Sequence, residues 1–236
     1  KPTEIQREII PLVFERKHDV VAVAQTGTGK TGAFGLPLVD LIDERNKTPK
    51  ALILAPTREL AIQVTKELSS FTTNKKLNVL TVYGGASITN QISDLKRGTD
   101  IIVGTPGRVV DMVNRGALKL SEVEYFVLDE ADEMLNMGFK EDISEILEST
   151  PAFKRTWLFS ATMPREVERI SSNYMEDPIK VTVGTKNSSA ANIDHKFCLV
   201  QGRDKYFALK PRYPVAGVVL YPLLLTLLRC HHCQLA

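Results

Sequence analysis

Short β-rich apolar runs alternate with helix-patterned segments along most of this 236-residue chain, and few folds can accommodate that alternation. The runs at 19–24, 50–55, 77–83, 100–104, 125–129, 156–160 and 179–183 predict strands. Between them lie amphipathic stretches such as Arg58–Phe71, which gathers Leu60, Ala61, Val64, Leu68 and Phe71 on one face. Strands this apolar need cover on both sides. The expected fold is therefore α/β, a mainly parallel sheet flanked by helices in three layers. Such sheets bind ligands beyond the carboxyl ends of their strands.

Two strand ends carry chemistry. The first predicted strand runs into Ala24-Gln25-Thr26-Gly27-Thr28-Gly29-Lys30-Thr31, followed by a helix pattern. Glycines let backbone N–H groups close around phosphate oxygens, and the helix start adds a positive dipole. Lys30 would reach the β- and γ-phosphates and the Thr31 hydroxyl would bind Mg²⁺. Ala24 stands where the phosphate-loop pattern usually has Gly. The second is Asp129-Glu130-Ala131-Asp132, after the apolar run 123–128. Carboxylates at a buried strand end are costly unless a cation or hydrogen bonds meet them. Asp129 is the candidate Mg²⁺ ligand, Glu130 could orient or deprotonate the attacking water, and Asp132 is placed to receive hydrogen bonds. An acid-rich helix start favoured by the dipole would explain Glu130 and Asp132 but not Asp129.

Composition narrows the partners. Net charge is +2. Without Arg212 and Arg229, the only charged residues after 210, 28 basic residues face 28 acidic ones. A nucleic-acid partner would need a local basic track. Three cysteines in a chain this long form no disulfide framework and point to a reducing compartment. The start lacks a signal-peptide pattern and reads as a cut inside a longer protein. The apolar tail is interrupted by Pro222 and too short for a confident membrane span. Cys230-His231-His232-Cys233 has the wrong spacing for a tetrahedral zinc site. His18 and His195 have no cluster around them. Pro49, in Asn46-Lys47-Thr48-Pro49, removes the acid a guanine-specific motif would need.

With these motifs in order, the chain resembles the DEAD-box RNA helicases over roughly residues 1–210. "KPTEIQ" at the start looks like the family's adenine-reading motif, so the resemblance implies that Gln6 reads adenine, with Lys1 packed near the base. Pro56-Thr57-Arg58, Gly84-Gly85 and Thr105-Pro106-Gly107-Arg108 resemble its RNA-backbone motifs, and Ser160-Ala161-Thr162 the motif coupling hydrolysis to RNA. Arg58 could also simply pair with Glu59 or cap a helix. The implied protein is an ATP-dependent RNA helicase using ATP and Mg²⁺, with a RecA-like fold and a cytoplasmic location. Its grip on the RNA backbone would be sequence-independent and salt-sensitive. On this reading residues 1–184 form the first RecA-like domain, 185–210 the linker and start of a second, and 211–236 an atypical tail. The second domain's arginine-finger run is absent from this sequence, so very slow turnover is expected. Two other readings stay open: a different nucleotide-driven translocase, or a non-catalytic half that binds RNA or a partner.

Overall fold

The computed structural model describes residues 1–15, 18–43 and 48–184. In chain order it contains α1 (Glu4–Phe14), β1 (Val20–Val23), α2 (Lys30–Leu41), β2 (Ala51–Leu54), α3 (Arg58–Phe71), β3 (Val79–Val82), α4 (Ile88–Leu95), β4 (Ile101–Gly104), α5 (Pro106–Asn114), β5 (Tyr125–Leu128), α6 (Ala131–Asn136), α7 (Lys140–Glu148), β6 (Arg155–Ser160), α8 (Arg165–Tyr174) and β7 (Ile179–Thr182). The strands form one sheet in the order β3-β4-β2-β5-β6-β1-β7, and every described pairing is parallel. All seven expected strands are present, and α3 has the expected bounds.

Alternation along each strand feeds two cores. Val20 and Ala22 of β1 point to the layer holding α1, α2 and α3, while Val21 and Val23 point to the layer holding α5 to α8. Central strands β2, β4 and β5 are buried at every position, whereas edge strand β7 alternates half-buried with exposed. Helix starts follow local chemistry. The Thr57 hydroxyl caps α3 by accepting the Leu60 N–H at 3.2 Å, and Pro106 opens α5, where its missing N–H costs nothing. Among the described residues no helix is long and apolar enough to cross a membrane.

Several strands end one residue earlier than expected, and the trimmed residues sit at the carboxyl rim. Ala24, Ala55 and Asp129 each donate one further N–H across the sheet, to Ser160, Gly104 and Leu54 respectively, at 3.0, 3.0 and 2.9 Å. They belong to the ladder by hydrogen bond and to the rim by side chain. Residues 16–17, 44–47 and 185–236 lie outside the described residues. With them lie Asn46 and Lys47, the linker, His195, the three cysteines, the Cys230–Cys233 cluster and the tail.

At the opposite rim two buried aspartates fasten strand starts. Asp19 accepts the N–H groups of Thr156 and Glu176, each at 2.8 Å, joining the starts of β1 and β6 to the segment before β7. Asp100 accepts the Asn78 N–H at 2.7 Å beside β3. Burial pushes the Asp19 carboxyl above its usual range despite these bonds.

Candidate functional site

Because the sheet is parallel, every strand delivers its following loop to the same rim. There β6 lies between β1 and β5, so Ser160 separates the Gly-rich loop from the acidic run. It also ties them together. The Ser160 carbonyl accepts the Ala24 N–H at 3.0 Å, and its hydroxyl accepts the Asp132 N–H at 3.2 Å. Asp132 in turn accepts both the N–H and the hydroxyl of Thr162, at 2.9 and 2.6 Å, and the Ala161 N–H at 3.4 Å. Burial alone would raise the Asp132 pKa. The bonds from Thr162, Ser160 and Ala161 outweigh it and hold the carboxyl below its usual range.

The Gly-rich loop is built for close approach. Gly27 and Gly29 have φ of +76° and +91°, a region side chains rarely enter. A Cβ at Gly29 would stand 2.8 Å from Gln6 Nε2, and one at Gly32 would stand 2.6 Å from it. The Gln6 amide donates to the Gly29 carbonyl at 3.1 Å while its oxygen accepts the Thr3 N–H at 3.0 Å. One amide thus braces α1 against the loop and leaves one donor and one lone pair for a ligand. The Thr28 hydroxyl donates to the Gln25 carbonyl at 2.7 Å, while Thr26 and Gly27 stay exposed at the crest. Buried Lys30 donates from Nζ to the Ala24 carbonyl at 3.1 Å, which centres its charge within the loop. Thr31, half-buried, occupies the first turn of α2, and Lys1 is exposed at the chain start.

At the end of β5, Asp129 is buried and its Oδ1 has no hydrogen-bond partner among the described residues. Burial, the largest influence, pushes its pKa up to about 7; the Lys30 charge opposes this and the Glu130 charge adds to it. Asp19 shows how this fold satisfies a buried carboxylate, with an N–H donor on each oxygen. Asp129 Oδ1 lacks that treatment while the carboxyl feels the charge of Lys30 in the phosphate loop, so a hard cation suits the unpaired oxygen. No group of three or more His, Cys, Asp or Glu gathers around a metal among the described residues. Mg²⁺ characteristically takes one or two protein oxygens and completes its shell with phosphate and water, so Thr31 and Asp129 fit it. Glu130, half-buried with its pKa raised chiefly by burial, has φ of +55°. A left-handed glutamate is strained by about 1–3 kcal/mol, a cost seen where a side chain must be aimed.

A second group of rim residues lies at the ends of β2, β3 and β4. Buried Pro56 and the cap Thr57 set the start of α3, where Arg58 donates to Glu59 from Nε and from a terminal nitrogen, at 3.1 and 2.9 Å. A Cβ at Gly85 would lie 3.9 Å from Arg58, so the first two stretches adjoin. Gly84, Gly85 and Gly107 are exposed, and Thr105 is half-buried. Arg108 donates to the Ala86 carbonyl through both terminal nitrogens, at 3.3 and 3.2 Å, and to Gln91 Oε1 at 3.0 Å. Gln91 is buried and donates to the Tyr83 carbonyl at 3.1 Å. Sequence reasoning missed it, because a glutamine in a short helix reads as solvent-facing. Its spacing from Ile88, Ile92 and Leu95 was the available signal.

Residues 3–170 match the DEAD/DEAH box helicase family. The chain is 50% identical over 207 residues to an ATP-dependent RNA helicase, CshA, of Listeria monocytogenes, covering 88% of this chain and 40% of that protein. It is 49% identical over 211 residues to an RNA helicase, CrhR, of Synechocystis, covering 89% and 42%. The chain thus spans about two fifths of the length of these relatives. Among solved structures, a DEAD box protein from the hyperthermophile Methanococcus jannaschii superposes with a TM-score of 0.76 at 42% identity, covering 97% of this chain and 64% of that one. The fold is the expected RecA-like arrangement.

Proposed function

Since the chain belongs to the DEAD/DEAH box helicase family, we propose that it is the ATP-binding half of a cytoplasmic ATP-dependent RNA helicase. The observation that carries this reading is the buried Asp129 Oδ1, unpaired among the described residues, on a carboxyl that feels the charge of Lys30 in the phosphate loop. Lys30 holds the β- and γ-phosphates, with the loop N–H groups of residues 25–30 around them. Thr31 and Asp129 hold Mg²⁺, which neutralises developing phosphate charge when bound. Glu130 orients and deprotonates the attacking water, and its raised pKa suits a base. Gln6 presents its remaining donor and acceptor to the adenine edge, and Lys1 packs near the base.

Pro56, Thr57, Arg58, Gly84, Gly85, Thr105, Pro106, Gly107 and Arg108 form the track for the RNA backbone. The Ser160 and Thr162 bonds to Asp132 make one rigid unit of the loop, the acidic run and the segment after β6. Closure of a second RecA-like domain over ATP and one RNA strand would bend that strand and disrupt a short duplex.

Titration of a fluorescent ATP analogue with Mg²⁺ tests the reading. Lys30→Ala should weaken binding at least about tenfold, the worth of a lost charge-assisted hydrogen bond, and Gln6→Ala about three- to tenfold, the worth of a lost neutral one. GTP should not displace the analogue. Equal displacement by GTP would sink the role of Gln6, and absence of Mg²⁺-dependent binding would sink the site.

A further inference from the structure

One buried polar side chain belongs to none of the sequence motifs. Gln91, on α4, is 7% exposed. Its amide nitrogen donates to the Tyr83 carbonyl at 3.1 Å, just past the end of β3, and its Oε1 accepts Arg108 Nη1 at 3.0 Å. Arg108 stands on α5, and its Nη1 and Nη2 donate to the Ala86 carbonyl at 3.3 and 3.2 Å.

These bonds close a circuit. Gln91 holds the Tyr83 end of the loop after β3, Arg108 holds the Ala86 end, and the two side chains hold each other. Between the ends lie Gly84 and Gly85, both exposed, the second at φ +84°. Glycines leave a loop many shapes, and a pair fastened at both ends gives up that freedom before any ligand arrives. Closing the loop alone would require only the donor on Tyr83. The other half of the amide is spent on an arginine from a different helix.

The circuit also decides which part of Arg108 stays available. Among the described residues nothing is bonded to its Nε–H or to the second N–H of Nη2. Those two N–H groups lie parallel along one edge of the guanidinium plane, an edge that can take two phosphate oxygens at once. Without the Gln91 acceptor the guanidinium would be free to pivot on the Ala86 carbonyl and lose that aim.

We propose that Gln91 is a positioning residue of the nucleic-acid track: it acts through Arg108, holding the guanidinium so that its Nε–Nη2 edge is presented to a backbone phosphate. The inference rests on the reading of Arg108 as a phosphate contact.

Fluorescence anisotropy with labelled oligouridine, on the whole chain, tests this in a cycle of Gln91→Met, Arg108→Ala and the double variant. Methionine keeps roughly the volume of glutamine and removes both hydrogen bonds. Gln91→Met should weaken binding about three- to tenfold, the worth of one lost hydrogen bond. Arg108→Ala should weaken it at least as much. Once Arg108 is gone, Gln91→Met should change affinity by less than about twofold. A glutamine that merely stabilised the fold would weaken both backgrounds equally, and that result overturns the role. So does wild-type affinity in a folded Gln91→Met beside a weakened Arg108→Ala. Wild-type affinity in Arg108→Ala overturns the reading of Arg108 as a phosphate contact, and the inference falls with it. NMR of the Arg108 guanidinium, located by comparison with Arg108→Lys, needs no substitution at residue 91. A guanidinium held in this way gives separate Nη N–H signals in the wild type. One averaged signal means free rotation and overturns the inference even if Gln91→Met fails to fold.

Discussion

Asp129→Asn should make the metal-free chain more stable at alkaline pH while removing its ability to bind Mg²⁺. The carboxyl is moved from 3.8 to about 7, chiefly by burial. A displacement of that size corresponds to at most about 4 kcal/mol of unfavourable folding free energy once the group is ionised. The folded state holds the proton more tightly than the unfolded chain. This group's contribution is therefore favourable below the ordinary carboxyl range and is lost as pH rises through about 7. About 2–3 kcal/mol of that loss falls between roughly pH 5 and roughly pH 8. Asparagine keeps the shape and cannot ionise, so the variant escapes the decline. Urea unfolding of both chains in chelator, at several pH values, reads the difference directly. The stability of the variant minus that of the wild type should grow by about 2–3 kcal/mol over that interval. A flat difference, or one that shrinks toward alkaline pH, refutes the reasoning that Asp129 is an unsatisfied buried acid. Nucleotide titration on the same samples should show Mg²⁺-dependent binding lost in the more stable protein, a trade common where a site is strained for function.

Three further outcomes follow from the geometry. Gly29→Ala must place a methyl 2.8 Å from Gln6 Nε2 at φ +91°; thermal unfolding should show a loss of about 1–3 kcal/mol, and the analogue titration should weaken with it. Asp19→Asn turns an acceptor for two N–H groups into one that satisfies only one of them, so stability near neutral pH should fall by about 1–3 kcal/mol; because the Asp19 pKa is raised, wild-type stability from this group should also decline as pH rises through its folded pKa, and the variant should not follow. Glu59→Gln releases Arg58 from its exposed ion pair, so oligouridine affinity should rise about two- to fivefold at low salt and converge with the wild type at high salt.

The sheet was legible from the spacing of apolar runs, because a strand buried on both faces, such as Ile101–Gly104, has nothing else to be. The phosphate loop and the acidic run were legible because each packs its chemistry into eight or fewer consecutive residues, from Ala24 and from Asp129. Unreadable were the partners that meet only on folding. Asp19 and Thr156 are 137 positions apart, and in sequence Asp19 merely opens an apolar run. Gln91 sits in a helix whose polar residues all look alike until the Tyr83 carbonyl meets its amide on folding. The resemblance assigned Arg58 and Arg108 to phosphate. The pairing of Arg58 with Glu59 was an alternative the sequence offered, but nothing in it indicated that Arg108 rests on Ala86 and Gln91.

The contrast between the two rims also says where this protein can be altered. The residues proposed to meet ligands occupy the carboxyl rim, while at the other rim Asp19 and Asp100 accept backbone N–H groups. The turn after α5 at Arg115-Gly116 is exposed, and Gly116 has φ of +64° with open space around it. Being on the amino side of the sheet, it offers a site for grafting a fluorophore, an epitope or a purification handle. A reporter there would sit on the layer of α5 to α8, opposite the layer that holds α2, without entering the path proposed for nucleotide or nucleic acid.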